Sequence, residues 1–182
     1  MPRVRSACSL LPRTPYPVSI ALARIDTTIR RHDGMIDYQR IFHTGILVPN
    51  LEVAMQEMGA SLGVTWATPW SYEPMEYWTP AGKARAPLRV TYSKQGPQHV
   101  ELIQGGGFWA ATPPRVHHVG VWTDTLAAEA RALMQQGWTL EAALLSPEEG
   151  FGRFCYIRPP SGGMLLELVS TEIKALMESR WV

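Results

Sequence analysis

"RIFHTGILVPNLEVAMQEMGASLG", residues 40–63, lies without a gap over "RVHHVGVWTDTLAAEARALMQQG", residues 115–137. Arg40 meets Arg115, His43 meets His118, Gly45 meets Gly120 and Leu51 meets Leu126, at a constant offset of 75 residues. A match held at one fixed offset reads as an internal repeat and takes precedence over any local reading. Each copy opens on an apolar run of strand character and then turns helical. Leu51, Met55, Met58 and Leu62 recur at spacings of three and four, as do Leu126, Ala130 and Leu133, so each copy carries one apolar stripe. Asn50 and Thr125 stand where helix N-caps are expected.

The ends of the copies match as well. "RVTYSKQGPQHVELI" (89–103) lies over "RFCYIRPPSGGMLLELV" (153–169), with a turn two residues longer in the second copy. Tyr92 meets Tyr156, Thr91 meets Cys155 and Glu101 meets Glu167, and the Gly/Pro clusters between them are hairpin punctuation. Each copy therefore reads strand, helix, then two or three antiparallel strands. The expected organisation is a first module at 35–107, a second at 108–170 and a C-terminal helix at 171–182 with Ile173, Leu176, Met177 and Trp181 on one side. Residues 64–88 read as an aromatic, Pro-rich insertion in the first module. Residues 1–34 set six arginines against Asp26 and Asp33, and are expected to be a disordered extension or the product of a misassigned start ahead of Met35.

Composition narrows the function. The net charge is +1 and no basic cluster follows residue 34, which excludes an electrostatic footprint for nucleic acid or an anionic membrane. The two cysteines, Cys8 and Cys155, make no disulfide framework and fit a reducing cytoplasm. No apolar stretch approaches the roughly 18 residues of a spanning helix.

The chemistry lies in paired residues. Neighbours in a strand point to opposite faces, so of "HH" at 117–118 the repeat selects His118, the counterpart of His43, and His117 is expected to point away. Glu101 and Glu167 sit in apolar strands, "HVELI" and "LLELV", where an unpartnered carboxylate would be costly. Two histidines and two glutamates related by an approximate twofold suit one shared divalent ion with mixed nitrogen and oxygen ligands. Zn, Ni, Co, Mn, Mg and Fe all fit such a set. His99 shares the face of Glu101 and is a candidate outer orienting residue, or else a rim histidine. Trp66, Trp70, Tyr77, Trp78, Trp109 and Trp122 are candidate lining for a small apolar or aromatic substrate, against the simpler reading that they pack a long loop.

"HTGILVPNLEVAM", "HVELIQ", "HHVGVWTDTLAAEA" and "SGGMLLELV" together resemble the vicinal oxygen chelate superfamily, in particular its glyoxalase-like and epimerase branch; the resemblance covers residues 40–170. It implies an α+β fold in which two βαβββ modules form a curved mixed sheet around a central metal-bearing cavity. It also implies one divalent metal ion on His43, Glu101, His118 and Glu167, with Glu101 or Glu167 as the catalytic base. The activity implied is that of a lyase or isomerase removing a proton beside a metal-bound oxygen of a small-molecule substrate, with a homodimer open by analogy alone. Two other readings stand beside it: an Fe(II) extradiol-type dioxygenase using His43, His118 and Glu167, and a non-catalytic small-molecule binding protein of the bleomycin-resistance type.

Overall fold

The computed structural model describes residues 36–181, and the extension assigned to residues 1–34 lies outside them. Strand β1 (Ile41–Leu47) leads into helix α1 (Leu51–Leu62), then β2 (Trp70–Thr79), β3 (Gly82–Tyr92) and β4 (His99–Gly105). The same order follows in β5 (Arg115–Thr123), α2 (Leu126–Gln135), β6 (Thr139–Ala143), β7 (Phe154–Arg158) and β8 (Leu165–Ser170). A single-turn helix from Thr171 to Ile173 and the short α3 (Lys174–Glu178) end the chain. No helix among the described residues is long and apolar enough to cross a membrane.

The eight strands close in the order β1-β4-β3-β2-β6-β7-β8-β5. β1 runs parallel to β4 and β5 parallel to β8, while β1 and β5 meet antiparallel at the junction of the two halves. Opposite that junction the sheet is joined by the single pairing of Trp78 with Ala143. The α+β class and the curved mixed sheet are as the sequence leads one to expect. The aromatic stretch at 64–88, in contrast, is less a loop than a hairpin: most of it forms β2 and the start of β3, which pair from Trp70–Val90 to Thr79–Gly82.

Asn50 caps α1 by accepting the Val53 N–H at 2.9 Å, and Gly63 ends it in the left-handed region at φ 67°. The expected cap at Thr125 is not made: its side chain bonds nothing at the helix start, and Thr123 Oγ accepts the Thr125 N–H instead. Helix α1 buries Leu51 and Ala54 against Val48 and Leu102, leaving Leu62 exposed at the last turn. Helix α2 lays Leu126, Ala130 and Leu133 over Leu140, Cys155, Ile157 and Leu168.

Because the helices cover one face of the final strands, both faces of those strands are buried, and their sequences read as near-continuous apolar runs. On β4, Leu102 goes under α1 while Ile103 enters the core cluster with Leu88 and Val90. On β8, Leu168 goes under α2 while Leu165 joins the same cluster as Ile103. Strand alternation then sends Glu101 and Glu167 inward. Leu51 is fully buried where α1 packs on Val48 and Leu102. Leu51→Ala is expected to cost about 2–5 kcal/mol, read as a lowered urea midpoint with an unchanged slope.

Candidate metal centre

His43 and His118 project from the β1–β5 junction, each into space that only glycine leaves free. In the register, His43 stands opposite Gly120 and His118 opposite Gly45. A Cβ on Gly45 would lie 2.0 Å from Cε1 of His118, and one on Gly120 would lie 1.9 Å from Cε1 of His43. The His-x-Gly spacing in each half is thus one device made twice: the glycine of either strand vacates the seat of the other strand's imidazole.

The two rings meet edge to face, with Nε2 atoms 2.8 Å apart. Glu101 Oε2 lies 3.3 Å from Nε2 of His43 and 3.1 Å from that of His118; for Glu167 Oε2 the distances are 3.1 Å and 3.3 Å. One ligand atom from each of the four residues falls within 4.8 Å of every other, and all four residues are buried. The structure brings together the four residues singled out from the repeat.

Burial alone would depress both imidazoles, but Glu101 raises His43 and Glu167 raises His118, the latter to about 9. Burial would likewise raise the carboxyls, yet the imidazoles hold Glu101 down at about 2 and lower Glu167 as well. The cluster therefore holds two buried negative charges that require positive charge at their centre. Oxygen Oε2 of Glu101 is buried with no hydrogen-bond partner, and the two Nε2 atoms lie beside it, 2.8 Å from each other. A divalent cation with mixed N/O preference fits that donor set and satisfies those atoms together.

His117 does not point away. Phe42 and His117 are the extra residues of two β-bulges, at Ile41/His43 on β1 and Gly45/Ile46 opposite β5, and a bulge re-aims its side chain. The His117 ring is buried, with Nδ1 3.0 Å from Nδ1 of His118. Burial and the neighbouring His118 push His117 down to about 3, and its Nδ1 pairs with Nδ1 of His118, the ring nitrogen turned away from the centre. Strict alternation hid this residue; only the doubled histidine itself hinted at it. Position 42 offers Phe instead, and Nδ1 of His43 has no partner.

Above the glutamates opens a cavity of about 330 Å³ with mainly apolar walls. Trp70 and Trp109 are on its wall, joined by Tyr92, Phe154 and Tyr156, with Met177 and Arg180 from the C-terminal segment. The other aromatic candidates lie elsewhere. Trp66 donates Nε1–H to Met55 O on α1, Tyr77 sits in the core accepting the Phe108 N–H, Trp78 packs against the α2 cluster, and Trp122 stacks on Phe42 at 3.8 Å. His99 engages other partners: its Nδ1 bonds Ser93 O at 2.6 Å and its ring lies against Trp181 at 4.0 Å.

The family described as Glyoxalase/Bleomycin resistance protein/Dioxygenase superfamily matches residues 42–156. Among solved structures, methylmalonyl-CoA epimerase from Mycobacterium tuberculosis is similar at 19% identity and TM-score 0.51, covering 79% of this chain and 99% of its own. A variant of 4-hydroxymandelate synthase from Streptomyces coelicolor matches at 14% identity and TM-score 0.48 over 71% of this chain, which spans only 48% of the synthase. At 19% identity the likeness to the epimerase is one of fold. No curated protein matches the chain.

Replacing Gly45 or Gly120 by Ala is expected to unseat the facing imidazole and weaken divalent-metal binding by at least about 10-fold in a folded protein, as measured by titration calorimetry. Because the raised His118 is charged at neutral pH in the metal-free protein, metal uptake there is expected to release protons and to weaken as pH falls. Matched titrations in buffers of different ionisation enthalpy read that release.

Proposed function

Because the chain belongs to the glyoxalase/bleomycin resistance protein/dioxygenase superfamily, we propose that it is a metal-dependent lyase or isomerase that removes a proton from a carbon acid. One observation carries the reading: four buried groups, two imidazoles and two carboxylates, converge on one point at the floor of an apolar cavity. When bound, a divalent ion supplies Lewis-acid polarisation of a substrate carbonyl. His43, His118, Glu101 and Glu167 are the residues that would hold it.

The rest falls to the chain's own groups. Glu101 and Glu167 both face the cavity and are held ionised, so either carboxylate can take a proton from a carbon placed above it. Trp70, Val90, Trp109 and Phe154 supply apolar walls that exclude water and suit a small apolar or aromatic substrate body. The second carboxylate favours redox-neutral chemistry over oxygen activation, which uses two histidines and one carboxylate with open positions.

Metal content by mass spectrometry on untagged protein is expected to be near-stoichiometric in wild type and lost in His43→Ala and Glu167→Ala. Exchange of solvent deuterium into small 2-oxo and 2-hydroxy carbonyl compounds, followed by NMR, is expected to fall by about 10²-fold or more in Glu101→Gln or Glu167→Gln, whichever is the base. Wild-type protein that takes up no Zn, Ni, Co, Mn or Fe(II) would refute the reading and leave a ligand-binding protein in its place.

A further inference from the structure

Each glutamate of the centre faces a buried tyrosine on the neighbouring antiparallel strand. In the β3–β4 register Tyr92 stands opposite Glu101, and in the β7–β8 register Tyr156 stands opposite Glu167. The Tyr92 hydroxyl donates to Oε1 of Glu101 at 2.5 Å, while Oε2 of the same carboxylate is the oxygen turned to both imidazoles. The Tyr156 hydroxyl receives Nε1–H of Trp109 at 3.5 Å. Each ring packs edge-on against the histidine of its own half, Tyr92 against His43 at 5.4 Å and Tyr156 against His118 at 5.1 Å. Both tyrosines line the cavity.

We infer that Tyr92 is a positioning residue that holds the outer oxygen of Glu101, so that this carboxylate reaches the centre through one oxygen only. The inference rests on the metal reading above and adds to it how room is kept for substrate. Two imidazole nitrogens and four carboxylate oxygens would fill a six-coordinate ion, whereas each carboxylate that binds through one oxygen would leave one position for solvent or substrate. A hydrogen bond on the outer oxygen makes the one-armed arrangement the resting one, because turning that oxygen inward breaks a buried bond to a carboxylate. Replacing Tyr by Phe removes the hydroxyl alone and keeps the ring that packs on the histidine.

The test loads wild type and Tyr92→Phe with Mn(II) to saturation and measures the relaxation rate of water protons, which counts water on the bound ion. Tyr92→Phe is expected to lose about half of the bound-ion enhancement as the freed oxygen displaces one water. Far-UV circular dichroism confirms folding. Tyr77→Phe removes a buried hydroxyl that engages Phe108 rather than a glutamate and is expected to leave the enhancement unchanged. Full wild-type enhancement in Tyr92→Phe, with Mn(II) still bound, would overturn the inference and leave the metal reading standing. Failure of wild type to bind any of Zn(II), Ni(II), Co(II), Mn(II) and Fe(II) would overturn both.

Discussion

Two carboxylates buried within hydrogen-bonding distance of two imidazoles impose the constraint on which the interior depends. Neither Glu101 nor Glu167 can be ionised there without positive charge between them, because isolated charges in a low-dielectric interior cost several kcal/mol each. The imidazoles supply it as protons, at the cost of placing two Nε2 atoms 2.8 Å apart. A divalent cation supplies it without that conflict. The seats at Gly45 and Gly120, the neutral His117 and the Tyr92 hydroxyl all serve the same end, holding four donors in one small volume.

The fold brings this about through strand pairing rather than loops. Parallel pairing of β1 with β4 and of β5 with β8 sets each histidine strand beside the glutamate strand of its own half. Antiparallel pairing of β1 with β5 then sets the two halves together. Sites on strands are held more precisely than sites on loops, and every donor of the centre lies on a strand. The apolar cavity above is built from longer-range pieces: the β2–β3 hairpin, β7 and the C-terminal segment.

What the sequence made legible follows that division. His43, Glu101, His118 and Glu167 stood out because equivalent residues recur at equivalent places, and because a carboxylate amid apolar residues has to be explained. His117 was misread because alternation assumes an unbroken ladder, and the bulge at that residue breaks it. Tyr92 escaped a functional reading because it meets Glu101 only through hairpin register, and register depends on turn geometry that "KQGPQ" does not declare. The aromatic candidates divided for a similar reason. Composition marks a cluster of rings as important, but the side of the hairpin on which each falls separates Trp70 and Tyr77, which face the cluster of Leu88 and Val90, from Trp78, which packs against the α2 cluster.

The exchange of seats between His43 over Gly120 and His118 over Gly45 is the geometry of an isologous interface, with one surface meeting its own copy. A half-length chain carrying a single His-x-Gly would generate both contacts by pairing with a second molecule of itself, and any substitution there would count twice. Joined in one polypeptide, the two contacts are released from that symmetry, and each half can change alone. Phe42 opposite one imidazole and His117 opposite the other are the visible result. A centre whose two histidines hold different neighbours can treat the two ends of a substrate differently, which a strictly symmetric pair of identical chains cannot.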